Sequence, residues 1–268
     1  MRTLTRFEQG EGERVVLFHG AASHSGQWRA LTDRLSGRFK VIAFDQYGYR
    51  RSPEWSEARP MLMADQVAPI FEYLSQQSGP LHLVGHSHGA SLAALCASLL
   101  SDRVRSLSVY EPNTFMTLDL NDPEQARQYQ GVADAFGDLD ERMLSAESQA
   151  RFAEDLLNFW LGEEAWSELP ERMRDQLCGM MRPTAREVYA ALHSPFDPVS
   201  LSALGERVLL MFDPHTPPLA RRVSERYLAL LPKAQVKHFP GCGHLAPILY
   251  ADRVNAVIEA HLSASFSL

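Results

Sequence analysis

A serine between two histidines and two glycines is the part of this sequence most suggestive of chemistry. Residues 81–91 read LHLVGHSHGAS, with Ser87 at the centre and Gly85 and Gly89 two positions to either side. In the pattern Gly-x-Ser-x-Gly, a strained turn from a strand into a helix lifts the serine hydroxyl above a sheet, and glycines allow close backbone approach on both sides. An ordinary glycine-rich turn is the alternative. We predict that Ser87 is a nucleophile.

A serine hydroxyl is a weak nucleophile, so it needs a base to take its proton and a carboxylate to orient that base. His244 is the predicted base, because the glycines of its loop, FPGCGHLAP, allow a tight path back to the serine. Two carboxylates follow apolar runs, namely Asp213 in MFDPHTP and Glu111 in SVYEPN. Either can point at the same histidine, so their positions alone leave the acid open.

Attack on an acyl group also requires hydrogen-bond donors for the negative charge that develops on the oxygen. The backbone N–H of His88, directly after the nucleophile, is the first predicted donor. The second is expected in the loop that follows the apolar run 15–18. The three cysteines and ten histidines show no spacing typical of a metal site, so we expect neither a metal nor another cofactor.

Short apolar runs that alternate with helical patterns must position these residues. The runs are rich in Val, Leu and Ile, as in strands buried on both faces of a parallel sheet. We therefore predict a doubly wound, mostly parallel α/β sheet. The predicted strands are 15–18, 41–44, 81–84, 104–109, 208–212 and 235–238, and the predicted helices are 26–36, 61–77, 88–101, 218–231 and 249–263.

The segment 112–206 interrupts this alternation and is predicted to be an inserted helical cap. It has no convincing strand pattern, and it holds 18 Asp and Glu residues against 7 Arg and no Lys, a net charge of −11. We interpret the acids as solvated helix faces. Residues 1–111 and 207–268 then form the core domain. The predicted cap helices are 122–136, 139–160, 163–181 and 183–193, punctuated by Pro170, Pro183 and Pro195.

The chain resembles the α/β-hydrolase family, in its serine-nucleophile branch, over roughly residues 13–111 and 207–262. The matching segments are VVLFHGAASHSGQW, VIAFDQYGYRRSP, LHLVGHSHG, VLLMFDPHTP and PGCGHLAP. The resemblance implies an α/β-hydrolase fold, with the insertion in the position of the family's cap.

The same resemblance implies roles for individual residues. The order Ser87, Asp213, His244 is the order in which this fold carries its catalytic triad. Asp213 is preferred over Glu111 because its context, Asp-Pro-x-Thr-Pro, is close to that of the family. The His-Gly-Ala segment looks like the family's oxyanion loop, which implies that the second donor is the backbone N–H of Ala21.

These features predict a serine hydrolase that cleaves a small, partly apolar ester-like substrate through an acyl-enzyme. Two alternatives exist on the same scaffold: a receptor that binds its ligand without hydrolysis, and a cofactor-independent lyase, oxygenase or perhydrolase. Large apolar residues of the insertion suit core packing and a roof over Ser87, and hence an apolar substrate group. They are Phe115, Met116, Phe136, Met143, Phe152, Phe159, Trp160, Trp166, Met173, Met180 and Met181.

Charge and composition narrow the partners. Arg50 and Arg51 stand where the family commonly has small residues, and they either bind a substrate carboxylate or are solvated or paired with cap acids. A net charge of −7 and a pI near 5.8 argue against a nucleic-acid surface. No apolar run approaches a membrane span, and the first residues lack the apolar stretch of a secretory signal. We expect a cytoplasmic protein with a small-molecule substrate and with neither nucleic acid nor membrane as a partner.

Overall fold

A mostly parallel, seven-stranded sheet forms the centre of the computed structural model, which describes residues 3–136 and 145–265. The strand order is β1-β3-β2-β4-β5-β6-β7, and only β1 runs antiparallel to its neighbour. This topology confirms the predicted fold class. The strands are β1 (Arg6–Gln9), β2 (Glu13–Phe18), β3 (Phe39–Phe44), β4 (Leu81–His86), β5 (Val104–Tyr110), β6 (Val208–Phe212) and β7 (Gln235–His238).

Helices cover both faces of the sheet, and each face has its own apolar core. Within β2, Val16 and Phe18 belong to one buried cluster, whereas Val15 and Leu17 belong to the other. Successive side chains of a strand point to opposite faces, so a run of apolar residues fills both cores. The helices are α1 (Arg29–Leu35), α2 (Met63–Ser75), α3 (His88–Leu99), α4 (Pro123–Phe136), α5 (Ala146–Leu161), α6 (Ala165–Glu168), α7 (Glu171–Cys178), α8 (Met181–His193), α9 (Pro218–Leu230), α10 (Ala246–Leu249) and α11 (Ala251–Ala264).

The first strand was not predicted from the sequence. All four residues of β1 are exposed, and the strand pairs antiparallel with β3, with Arg6 opposite Phe44. A short polar edge strand has no apolar alternation to identify it, and its stability comes from the neighbour that it pairs with.

In its described residues, the segment between β5 and β6 contains helices, among them α4 to α8, and no strand. The predicted helix 163–181 is divided at Pro170, which precedes α7, because proline disfavours a helical conformation in the residue before it. Residues 139–144 of the predicted helix 139–160 lie outside the described residues. Its described part, α5, begins after Ser145, whose hydroxyl accepts a hydrogen bond from the N–H of Ser148.

This inserted segment packs on the sheet rather than standing apart from it. Buried side chains of α4, α5 and α8, including Phe136, Phe152 and Ala185, belong to the same apolar cluster as Phe18 and Leu83 of the sheet. None of the helices in residues 3–136 and 145–265 combines the length and the apolar character that a bilayer crossing requires.

Candidate active site

Ser87 occupies a strained turn between β4 and α3. Its backbone has φ 54° and ψ −122°, a left-handed conformation that is costly for any residue with a Cβ atom. The N–H of Ser87 donates to the carbonyl oxygen of Tyr110 at 2.8 Å, which fixes the turn against β5. A Cβ atom on Gly85 would lie 2.4 Å from the carbonyl oxygen of Gly89, and one on Gly89 would lie 2.3 Å from that of His19. Both glycines are therefore required by close backbone approach.

A chain of hydrogen bonds joins Ser87 to His244 and His244 to Glu111. The Ser87 Oγ lies 2.9 Å from Nε2 of His244, and Nδ1 of His244 lies 2.6 Å from Oε2 of Glu111. All three residues are buried, between 1% and 4% exposed. A carboxylate can only accept, so Nδ1 carries the imidazole proton and Nε2 is left free to accept the proton of the serine.

The predicted contact between Asp213 and His244 is corrected by this geometry, because Glu111 occupies that position. β5 and β6 are neighbouring parallel strands with Tyr110 opposite Met211, so the carboxylates that follow them emerge side by side. Asp213 turns instead to the backbone: it accepts from the N–H of His215 at 2.9 Å and from the N–H of Gly243 at 2.7 Å. It thus anchors the loop that carries His244.

Electrostatics agree with this division of roles. Burial by itself would raise the pKa of Asp213, but the hydrogen bonds from the backbone of His215 and Gly243 outweigh it and lower that pKa. Glu111 is held by three donors: the N–H of Asp213 at 2.9 Å, the hydroxyl of Thr216 at 3.0 Å and the imidazole. Its buried carboxylate is therefore fully paired, as a buried charge must be.

The loop after β2 lies beside the serine. Gln27 ties this loop to the elbow, since its amide oxygen accepts from the N–H of Gly20 at 3.1 Å and its amide nitrogen lies 3.1 Å from Nδ1 of His86. His86 then donates from Nε2 to the carbonyl oxygen of His244 at 2.9 Å. Burial lowers the pKa of His86 well below its ordinary value and so keeps this ring neutral.

Both predicted oxyanion donors lie next to Ser87 in the structure. Ala21 lines the same cavity as Ser87, and His88 begins α3 directly after the serine. Across residues 3–136 and 145–265, the hydrogen bonds assigned within the protein use neither the backbone N–H of Ala21 nor that of His88. The N–H groups in the first turn of a helix lack partners within the helix and favour negative charge.

An apolar cavity of about 180 Å³ opens above Ser87, between the sheet domain and the inserted segment. No Lys, Arg, Asp or Glu of the described residues lines it. Its polar lining residues are Ser23, His86, Ser87, Asn113 and His244, and its apolar lining residues from the insertion include Phe115, Val132, Phe136, Leu156, Phe159, Leu161, Leu177, Met181 and Val188.

Arg50 and Arg51 do not line this cavity. Both arginines are exposed, and Arg50 lies near the half-buried His24, with 3.3 Å between its Nη1 and Nδ1 of the imidazole. Their positions therefore do not support the possibility, raised by the sequence, that these arginines bind a substrate carboxylate.

Trp160 of α5 stacks directly on His244. The two ring centroids are 3.5 Å apart and the planes are inclined by only 12°. In the sequence, Trp160 is one of several large apolar residues of the insertion, and nothing there connects it with the histidine. No spacing pattern carries that information, because it depends on how α5 lies across the sheet domain.

Comparison with known proteins agrees with the fold. The model of the alpha/beta hydrolase family matches residues 15–257, and the chain belongs to this family. It is thus an α/β-fold hydrolase.

Individual relatives have related names but only partial similarity. The chain is 36% identical over 128 residues to a 2-(acetamidomethylene)succinate hydrolase of Mesorhizobium japonicum; this match covers 47% of the chain and 45% of that relative, so the chain matches less than half of its length. It is 27% identical over 269 residues to Lipase LipV of Mycobacterium tuberculosis, covering 93% of each. A thermophilic esterase of Thermogutta terrifontis, solved with malate bound, shares the fold with a TM-score of 0.70 and 24% identity, over 98% of this chain and 93% of that chain.

Proposed function

We propose that the protein is a serine hydrolase that cleaves neutral carboxylic esters through an acyl-enzyme. The observation that carries this proposal is the buried chain from Ser87 through His244 to Glu111 at the base of the apolar cavity. A nucleophile within reach of a base, and a base oriented by a carboxylate, is the arrangement that acyl transfer needs.

Each group has a definite part in the reaction. The Ser87 Oγ attacks the carbonyl carbon of the ester while its proton passes to Nε2 of His244. Glu111 holds Nδ1 and stabilises the imidazolium that forms. The negative charge on the former carbonyl oxygen is taken by the backbone N–H groups of Ala21 and His88.

Collapse of this tetrahedral intermediate releases the alcohol, which leaves with the proton from His244. The acyl group remains bonded to Ser87. A water molecule then attacks the acyl carbon and gives its proton to His244, and the second collapse returns the proton to the serine and frees the acid. The sum of the two halves is ester plus water giving acid plus alcohol.

The cavity suggests which substrates fit. No charged side chain of the described residues lines it, and most of its lining is aliphatic or aromatic. Burying a substrate carboxylate there without a partner would cost several kcal/mol, roughly. The substrate class is therefore a neutral ester with an apolar acyl group, unlike the succinate in the name of the Mesorhizobium japonicum relative.

A matched pair of esters tests this proposal. We expect p-nitrophenyl butyrate to be turned over at least tenfold faster than p-nitrophenyl hemisuccinate, whose acyl group is of similar length but carries a carboxylate. A fluorophosphonate probe should label the wild-type protein. Ser87→Ala should lose labelling and about 10³-fold or more of the turnover with its fold retained.

His244→Gln should lose turnover to a similar degree, because the nucleophile then lacks its base. Equal rates on the two esters would contradict the substrate class. Ligand binding without labelling or turnover would instead favour a receptor on this scaffold.

A further inference from the structure

The hydroxyl of Tyr49 is a buried junction between the sheet domain and α8 of the insertion. Its oxygen lies 3.0 Å from the backbone nitrogen of Ala22, 3.0 Å from Oγ1 of Thr184 and 2.6 Å from Oε2 of Glu187. Thr184 in turn lies 2.8 Å from the carbonyl oxygen of Met180, to which it donates. Four hydrogen-bond contacts thus meet in one network.

The number of hydrogens in this network defines its protonation state. Ala22 supplies one N–H, Tyr49 one O–H and Thr184 one O–H, so three hydrogens are available for four contacts. Neither the carbonyl oxygen of Met180 nor an ionised carboxylate can supply another. With Glu187 ionised, Tyr49 donates to the carboxylate and the single hydrogen of Thr184 is left to serve either Tyr49 or Met180. A protonated Glu187 supplies the fourth hydrogen, since it can donate to Tyr49 while Tyr49 donates to Thr184 and Thr184 donates to Met180.

The surroundings of Glu187 agree with a neutral carboxyl group. Glu187 is 1% exposed, and among the described residues its Oε1 has no hydrogen-bond partner, which is far less costly for an uncharged acid than for a carboxylate. Burial raises the pKa of Glu187 to about 8.

Titratable side chains of the sheet domain adjoin this network. Tyr49 itself is hydrogen-bonded to Glu187, and the ring of His19 meets the edge of the Tyr49 ring, with 5.1 Å between the two centroids. On α8, Arg186 is engaged by Glu54 at 2.6 Å. None of these side chains places a positive charge next to Glu187.

At its other end, the network holds the oxyanion loop. Ala22 has φ 54°, a left-handed conformation that costs about 1 kcal/mol or more for a residue with a side chain. Its N–H is fixed by Tyr49, and the preceding residue, Ala21, carries the proposed oxyanion donor. We propose that Glu187 is a positioning residue, whose neutral carboxyl group acts through Tyr49 to hold the Ala21–Ala22 loop in the conformation that receives the oxyanion. This inference rests on the hydrolase activity proposed above.

Ionisation of Glu187 should make the activity depend on pH. When Glu187 loses its proton at alkaline pH, one of the four contacts loses its hydrogen. The hydrogen-bond network then holds Tyr49 and Ala22 less firmly. An amide at the same position can still donate to Tyr49 and cannot ionise. Glu187→Gln should therefore remain active at alkaline pH, where the wild type declines.

Three variants test this in steady-state kinetics across pH 6–10. We expect Glu187→Gln to keep kcat within about twofold of wild type at pH 7 and to lack the alkaline decline. Glu187→Leu and Tyr49→Phe should lose roughly tenfold or more in kcat at little cost in KM, below the loss of a whole oxyanion donor, about 10²–10³-fold. The matched control is Glu54→Gln, which changes the carboxylate that pairs with Arg186 of α8, and it should behave as wild type.

Three measurements do not depend on turnover. Infrared spectra at pH 7 should contain a protonated-carboxyl band that is absent from Glu187→Gln, and circular dichroism should confirm that all variants are folded. The melting temperature of Glu187→Gln should rise relative to wild type as the pH increases from 5 to 8. In this range the unfolded carboxyl group is ionised while the folded one keeps its proton, so folding of the wild type takes up a proton and becomes less favourable as the pH rises. Absence of the band, or a Glu187→Gln variant as inactive as Glu187→Leu, overturns the proposal. A wild type that shows the band but no esterase activity contradicts the proposed function instead.

Discussion

Oε2 of Glu111 lies 2.6 Å from Nδ1 of His244, although Asp213 closes the neighbouring strand at an equivalent place. Each of the two carboxylates contacts a different part of the histidine loop. Glu111 contacts the imidazole, and Asp213 accepts from the backbone of Gly243, one residue earlier. The two acids also meet each other, because the N–H of Asp213 donates to Oε1 of Glu111 at 2.9 Å.

The first prediction is that Glu111→Gln lowers kcat far more than Asp213→Asn. An amide at Glu111 stabilises neither the required tautomer nor the imidazolium, and the equivalent change in a well-studied serine protease costs about 10⁴-fold in kcat. Asp213→Asn retains an amide oxygen for the N–H of Gly243, so we expect a loss of roughly tenfold or less. Steady-state kinetics of the two purified variants check this, and the opposite order would return the role of the acid to Asp213.

Much of the fold and two of the three residues in the hydrogen-bonded chain at Ser87 could be predicted because they follow local patterns. Strands β2 to β6 are mostly apolar runs, and Ser87 and His244 are identified by the glycines around them. The acid could not be predicted, because both candidates end neighbouring strands. The choice depends on tertiary features, namely the left-handed φ of 45° at Glu111 and its bonds to Asp213 and Thr216.

The contacts of the insertion were also beyond prediction. Helical periodicity indicates which residues of α5 and α8 are apolar, but not which of them reaches the active site. Trp160 of α5 stacks on His244, and Glu187 of α8 contacts Tyr49 of the sheet domain. Both contacts depend on the placement of one helix over residues far away in the sequence.

The second prediction concerns the close approach at Gly89. A methyl group there would lie 2.3 Å from the carbonyl oxygen of His19 and 2.4 Å from that of Phe18, and neither backbone atom can move without displacing β2 and the oxyanion loop. We expect Gly89→Ala to destabilise the protein by roughly 3 kcal/mol or more and to abolish fluorophosphonate labelling of Ser87.

Gly131 is the matched control for this change. It is exposed in the interior of α4, and a Cβ atom there would meet nothing within 4 Å. Gly131→Ala should therefore stabilise by about 0.5–1 kcal/mol through helix propensity and leave labelling unchanged. Denaturant unfolding and probe labelling measure both effects. A Gly89→Ala variant as stable and as reactive as wild type would contradict the geometry of the elbow.

The third prediction is that Trp160 contributes to catalysis through His244. The stacked indole covers one face of the imidazole and is suited to the positive charge that forms as Ser87 attacks. We expect Trp160→Ala to lower kcat/KM roughly tenfold and Trp160→Phe to recover most of the loss, since a phenyl ring keeps the stacked face. Trp166→Ala, which removes an indole of the insertion that does not line the cavity, should have little effect on kinetics. Equal losses in the two alanine variants would reduce Trp160 to a packing residue.

The last prediction is that the protein is labile in acid. Burial lowers the pKa of His19 and His261 to about 4 and that of His88 to about 3, and it lowers the pKa of His86 well below its ordinary value of 6.5. Because these folded-state values lie below the unfolded value, the unfolded chain binds more protons in this range. The stability from these neutral rings is complete above about pH 6.5 and is lost as the pH falls towards 4. Keeping each ring neutral then lowers the free energy of unfolding by about 2 kcal/mol at pH 5, and the four rings together approach the whole stability of a typical domain, roughly 5–15 kcal/mol.

Urea unfolding at pH 7.5, 6 and 5 should show a steep fall in the midpoint of unfolding. His88→Gln cannot take up a proton, so it should lessen the fall in the free energy of unfolding between pH 7.5 and 5 by about 2 kcal/mol. A midpoint that stays constant down to pH 5 would mean that these rings are protonated in the native protein or that it opens locally to accommodate their charge.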